Sequence, residues 1–108
     1  ELELDGIIAT NTTIARDGLT SDSAKVKEIG AGGLSGAPLK ERSLAVLRQL
    51  RSLIPAEMAL IAVGGVENAQ DVKDRLDAGA DLVQGYTAFL YEGPFWARSI
   101  NKGLERML

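Results

Sequence analysis

The sequence predicts an α/β protein built on a parallel sheet, and two observations carry that expectation. An apolar run followed by a helix signal occurs three times, at residues 6–10, 60–63 and 82–85. Each run is apolar throughout instead of alternating, as in a strand buried on both faces. A repeating order of strand, loop and helix selects the α/β class over folds in which strands and helices segregate. Three parallel strands would leave two edges unpaired. Open α/β sheets and the eight-unit barrel both have more strands, so the chain reads as part of a larger fold.

Taken in order, Glu1-Leu2-Glu3-Leu4-Asp5 leads charged residues straight into the first run and resembles the end of a helix begun earlier. Asn11-Thr12-Thr13 follows the run. The polar passage 16–36, with Asp17-Gly18, Ser21-Asp22-Ser23 and Gly30-Ala31-Gly32-Gly33, is expected to be a surface connection without regular structure. Pro38 opens a helix that Pro55 ends, with apolar positions Leu44, Leu47, Ile54 and Val46, Leu50, Leu53 at near-helical spacing. Its Lys and Arg residues, Arg48 and Arg51 among them, form an expected solvated face.

The second run ends in Gly64-Gly65, and Asn68 then offers an N-cap with Asp71 as a first-turn acid. Val72, Leu76 and Ala80 supply an apolar stripe, and Gly79 stands at the expected C-terminal cap. The third run leads into Tyr86-Thr87, and Gly93-Pro94 restarts a helix carrying Phe95, Ile100, Leu104 and Met107. Tyr86, Phe89, Tyr91, Phe95 and Trp96 cluster at one end of the chain and are expected to pack between helices.

Composition narrows the chemistry. With 108 residues, 45% hydrophobic and 25% charged, and a net charge of −3, the chain has a globular composition and no nucleic-acid footprint. Cysteine and histidine are both absent, which removes thiolate nucleophiles, imidazole acid–base chemistry and the commonest zinc ligands. Backbone groups, hydroxyls, amides and carboxylates remain. No apolar stretch approaches the roughly 20 residues that cross a bilayer, and no carboxylate pair stands out as an acid–base couple.

All three strands end in small or hydroxyl-bearing residues: Thr10-Asn11-Thr12, Gly64-Gly65 and Tyr86-Thr87. Ligands collect at the carboxyl ends of strands in α/β folds, so these clusters should share one mouth. Gly65 would let bare backbone approach a phosphate, and Thr87 would add N–H and hydroxyl donors. Each feature also has a plainer reading: Gly-Gly as a tight turn, Asn11 as a turn former or cap.

Thr10-Asn11-Thr12-Thr13, Gly32-Gly33-Leu34-Ser35-Gly36-x-Pro38-Leu39, Val63-Gly64-Gly65-Val66 and Gln84-x-Tyr86-Thr87 together closely resemble the dihydroorotate dehydrogenase family, in its class 2, quinone-linked branch. The resemblance covers residues 1–108 in order and spacing. It implies a (β/α)₈ barrel with FMN at the C-terminal mouth, of which this single partial domain would be the last three strand–helix units. It further implies that Asn11 and Thr12 contact the pyrimidine of dihydroorotate or orotate and that Thr10 lies beside the flavin. Ser35 and Gly36 would belong to a flavin-contacting loop, and Gly64, Gly65, Tyr86 and Thr87 would form the FMN phosphate cup.

The implied reaction oxidises dihydroorotate to orotate in pyrimidine (UMP) biosynthesis with quinone as electron acceptor, in a parent enzyme held peripherally at the cytoplasmic side of the cell membrane. The family's serine base lies in an earlier part of the barrel. Ser21, Ser23, Ser35, Ser43, Ser52 and Ser99 do not match its loop, so no catalytic residue is assigned and the chain alone is expected to be inactive. Two alternatives stand beside this reading: a half-barrel scaffold that self-associates as a homo-oligomer, and a fragment of another phosphate-binding barrel enzyme.

Overall fold

Each apolar run forms a strand. In the computed structural model, which describes residues 3–108, β1 (Gly6–Ala9), β2 (Ala59–Val63) and β3 (Leu82–Gln84) make one parallel sheet in the order β1-β2-β3. The register pairs Ile7 with Leu60, Ala9 with Ala62, and Ala62 with Val83. These residues therefore share one face. Against it pack α2 (Lys40–Leu53), α3 (Ala69–Asp77) and α5 (Trp96–Met107). Leu47, Leu60, Ala62 and Ala80 form one buried cluster, and Val66, Val72 and Ile100 a second, with Val83 touching both.

Neighbouring strands that are consecutive in sequence, with their helices on one side, describe a singly wound layer such as a barrel wall. The other face differs from the expectation of two covered faces. Ile8 and Leu82, in register through Ile61, are 60% and 63% exposed, and nothing among the described residues covers them.

Pro38 lies in a short 3₁₀ turn (Ala37–Leu39) that feeds α2, and α2 stops at Ile54 before Pro55. Residues preceding proline are pushed toward extended backbone, which is what Ile54 adopts. Asn68 caps α3 by accepting the Asp71 N–H at 2.9 Å, and Asp71 Oδ2 accepts the Glu67 N–H at 2.9 Å in return. At the other end of α3 the Gly79 N–H reaches the Leu76 carbonyl and the Ala80 N–H the Arg75 carbonyl, both at 3.0 Å, a Schellman pair.

Several expectations are corrected. Residues 16–36 are not structureless: α1 (Ser23–Ile29) forms there, capped by Asp22, whose side chain accepts the Ala24 N–H at 3.3 Å. Thr13 and Leu34 close the base of the excursion with two backbone hydrogen bonds of 3.1 and 2.7 Å. Arg16 donates across it to the Gly32 and Thr13 carbonyls. Glu3, Leu4 and Asp5 are not helical, while Glu1 and Leu2 lie outside the described residues. Leu76, expected in the α3 stripe, is 40% exposed, and Arg75 takes the inward position instead.

Arg51 is likewise no solvated cation, because its guanidinium caps the carbonyls of Gly79, Pro55 and Met58. Of the five aromatics only Trp96 packs inward, with its indole N–H on the Glu67 carbonyl at 2.8 Å. Tyr86, Phe89 and Tyr91, on or just before the short α4 (Thr87–Glu92), are exposed, as is Phe95.

Candidate functional site

The carboxyl ends of β1, β2 and β3 open onto one cavity of about 340 Å³. Thr10, Asn11, Thr12, Ser35, Gly36, Gly64, Gly65, Tyr86 and Thr87, the residues expected at the site, all line it, joined by Leu39, Val63, Val66 and Gly85.

Sheet pairing sets the first cluster. The Thr10 N–H donates to the Val63 carbonyl at 2.8 Å, which carries the β1–β2 ladder one step past the strand and leaves Asn11 and Thr12 on the rim. Asn11 Oδ1 accepts the Thr12 N–H at 2.8 Å, so Asn11 does shape the local turn, while its amide NH₂ has no protein acceptor among the described residues. Thr12 is placed by a glycine: a Cβ on Gly33 would lie 1.8 Å from Thr12 Oγ1, so the hydroxyl occupies space that only glycine leaves.

A second contact joins distant segments. Thr87 Oγ1 and Ser35 Oγ are 2.9 Å apart, and a Cβ on Gly36 would stand 3.0 Å from Thr87 Cγ2. The third cluster turns on Gly65, whose φ of +73° belongs to the left-handed region. Added side-chain bulk there would lie 2.4 Å from the Lys40 backbone N and 2.5 Å from its Cα.

The donor set has a clear chemical bias. No Asp, Glu, Lys or Arg lines the cavity. The N–H groups of Gly64, Gly65, Tyr86 and Thr87 engage no protein acceptor among the described residues. Free N–H groups and hydroxyls without carboxylates suit a phosphate, which needs donors and is repelled by acids. Lys40 begins α2 beside Gly65, yet its Nζ is held by Glu67 at 2.7 Å and Asp71 at 2.9 Å. Burial opposes its charge, but the hydrogen bonds and charges of Glu67 and Asp71 outweigh that and keep the ammonium above its ordinary pKa.

Behind the cavity lies a group that sequence reasoning missed. Arg75 is 1% exposed, and its Nη2 donates to the carbonyls of Lys40 at 3.0 Å and Gly64 at 3.1 Å and to Ser43 Oγ at 3.1 Å. Burial pulls its guanidinium below the ordinary arginine value, and the charges of Asp71 and Asp74 oppose that. No sequence signal singles it out, since Leu76, at the next position, fits the same helical spacing from Val72 and is 40% exposed.

Residues 1–108 match the family model described as dihydroorotate dehydrogenase. The chain belongs to the dihydroorotate dehydrogenase family. The dihydroorotate dehydrogenase (quinone) of Pseudarthrobacter chlorophenolicus is 72% identical over 106 residues, covering 98% of this chain and 30% of that protein. The protein of the same name from Leifsonia xyli is 67% identical over 107 residues, 99% of this chain and 31% of its own length. This chain thus spans about 30% of the length of these curated dihydroorotate dehydrogenase relatives. The crystal structure of DHODH in complex with ferulenol from Eimeria tenella superposes with a TM-score of 0.86 at 38% identity, over 96% of this chain and 27% of that one. The three strand–helix units accordingly form part of a (β/α)₈ barrel.

Proposed function

We propose that this chain supplies the FMN phosphate cup and part of the pyrimidine site of a quinone-linked dihydroorotate dehydrogenase. The single observation that carries the reading is the cavity itself, where three strand ends and the Ser35–Gly36 loop bring free N–H and hydroxyl donors together without a carboxylate. Gly64, Gly65, Tyr86 and Thr87 hold the phosphate through their N–H groups, while the Thr87 hydroxyl donates to Ser35 Oγ at 2.9 Å and ties that loop to the cup. Thr10 and the Ser35–Gly36 loop border the flavin. Asn11 presents an amide that can donate and accept toward a pyrimidine ring offering both kinds of group, with Thr12 beside it.

Held by the Gly64, Gly65, Tyr86 and Thr87 cup and bordered by Thr10 and the Ser35–Gly36 loop, FMN would supply the redox chemistry linking dihydroorotate oxidation to quinone reduction. The residues of this chain bind and orient. None lining the cavity is a carboxylate or lysine placed to take the C5 proton, and the base is assigned to a serine supplied from an earlier part of the barrel.

Titration of the chain with FMN and with riboflavin tests this reading. FMN is expected to bind and riboflavin to bind at least about tenfold more weakly, the loss expected when charge-assisted hydrogen bonds to the phosphate are removed. Absence of FMN binding, or equal affinity for both, contradicts the phosphate assignment.

A further inference from the structure

We propose that Arg75 is the positioning residue of the phosphate cup, locking the Gly64–Gly65 peptide so that its N–H faces the cavity; this rests on the phosphate reading above. Arg75 does not line the cavity and touches the loop from behind. The Gly64 carbonyl receives two donors there, Arg75 Nη2 at 3.1 Å and Ser43 Oγ at 2.7 Å. A trans peptide is planar, with C=O and the following N–H pointing in opposite directions. Holding the Gly64 oxygen against Arg75 and Ser43 therefore turns the Gly65 N–H away from them.

Such anchoring is needed because neither residue of the turn resists rotation through a side chain. Gly64 and Gly65 adopt φ values of +116° and +73° and, lacking Cβ atoms, would otherwise sample many backbone states. The same guanidinium nitrogen reaches the Lys40 carbonyl at 3.0 Å, tying the start of α2 to the loop it abuts. Four acceptors surround the side chain, the carbonyls of Lys40, Gly64 and Asp71 and the Ser43 hydroxyl, and all are neutral. A buried arginine serving backbone carbonyls, with Lys40 already given to Glu67 and Asp71, is placed to orient peptides.

The test is the ratio of FMN to riboflavin affinity in Arg75→Met and Ser43→Ala, each checked for folding by circular dichroism. In Arg75→Met the ratio is expected to fall by about tenfold, the worth of one charge-assisted hydrogen bond, with riboflavin affinity unchanged. Ser43→Ala, a much smaller perturbation, should lower the ratio in the same direction and decides the matter if Arg75→Met does not fold. Unchanged ratios, or equal losses for both ligands, overturn the positioning role. A wild-type chain that does not distinguish FMN from riboflavin overturns the phosphate reading itself, which separates the two failures.

Discussion

Gly65→Ala is expected to cost well over 1 kcal/mol of stability and to abolish phosphate-dependent binding. Two effects add. An L-residue held at a φ of +73° pays about 1–2 kcal/mol for left-handed backbone alone. The new methyl would then lie 2.4 Å from the Lys40 N and 2.5 Å from its Cα, both backbone atoms that no rotamer change can move. Relief requires shifting the loop, which moves the Gly65 N–H out of its place in the cup, or the start of α2, whose Lys40 carbonyl shares the Arg75 guanidinium with the Gly64 carbonyl. Gly18→Ala is the matched control, since Gly18 has a φ of +71° with nothing within 4 Å of the added atom. Urea denaturation should show the Gly65 variant losing clearly more than the Gly18 variant, with the extra loss read as a lower midpoint at similar slope. Equal losses would show that contact with α2 does not limit the site.

Asn11→Ala carries the largest expected effect on activity. In a polypeptide carrying the remaining barrel strands, it should lower the rate of dihydroorotate oxidation by roughly 30- to 150-fold, as for a lost substrate hydrogen bond worth about 2–3 kcal/mol. Flavin content should be retained, because Asn11 stands apart from Gly64, Gly65, Tyr86 and Thr87 in the assignment. Stability should change little. Asn11 is exposed, and the bond it makes to the Thr12 N–H is local. Unchanged turnover would reduce Asn11 to the turn former that its 2.8 Å bond to Thr12 already makes it.

What the sequence made legible were features set by local physics. Apolar runs marked β1, β2 and β3 to within a residue or so, Pro55 marked the end of α2, and Asn68 marked the start of α3. The strand-end part of the cavity's lining was also legible, because small and hydroxyl residues at strand ends converge wherever strands are parallel, whereas Ser35 and Gly36 follow no strand and were expected only from the family resemblance. Features set by tertiary contact were not. Helix α1 buries no residue and offers only Ala24, Val26 and Ile29 as apolar positions in a single pair of turns, too few for a periodicity to announce it.

Arg75 and Arg51 were hidden for a different reason. A charged residue on a helix is by default solvated, and only the folded chain shows carbonyls from other segments converging on each guanidinium. Leu76 fails in the opposite sense, since a stripe predicts a buried face but not which of its edges the neighbouring helix covers. The exposed Tyr86, Phe89 and Tyr91 show the same limit: aromatic clustering gives the capacity to pack without naming a partner.

The most direct test of the central claim is to follow backbone amide resonances of the ¹⁵N-labelled chain as FMN is added. The N–H signals of Gly64, Gly65, Tyr86 and Thr87 are expected to shift together in a saturable way, and riboflavin is expected not to reproduce those shifts. If FMN leaves these four amides unmoved, or shifts residues elsewhere in the chain, the strand ends are not a phosphate cup.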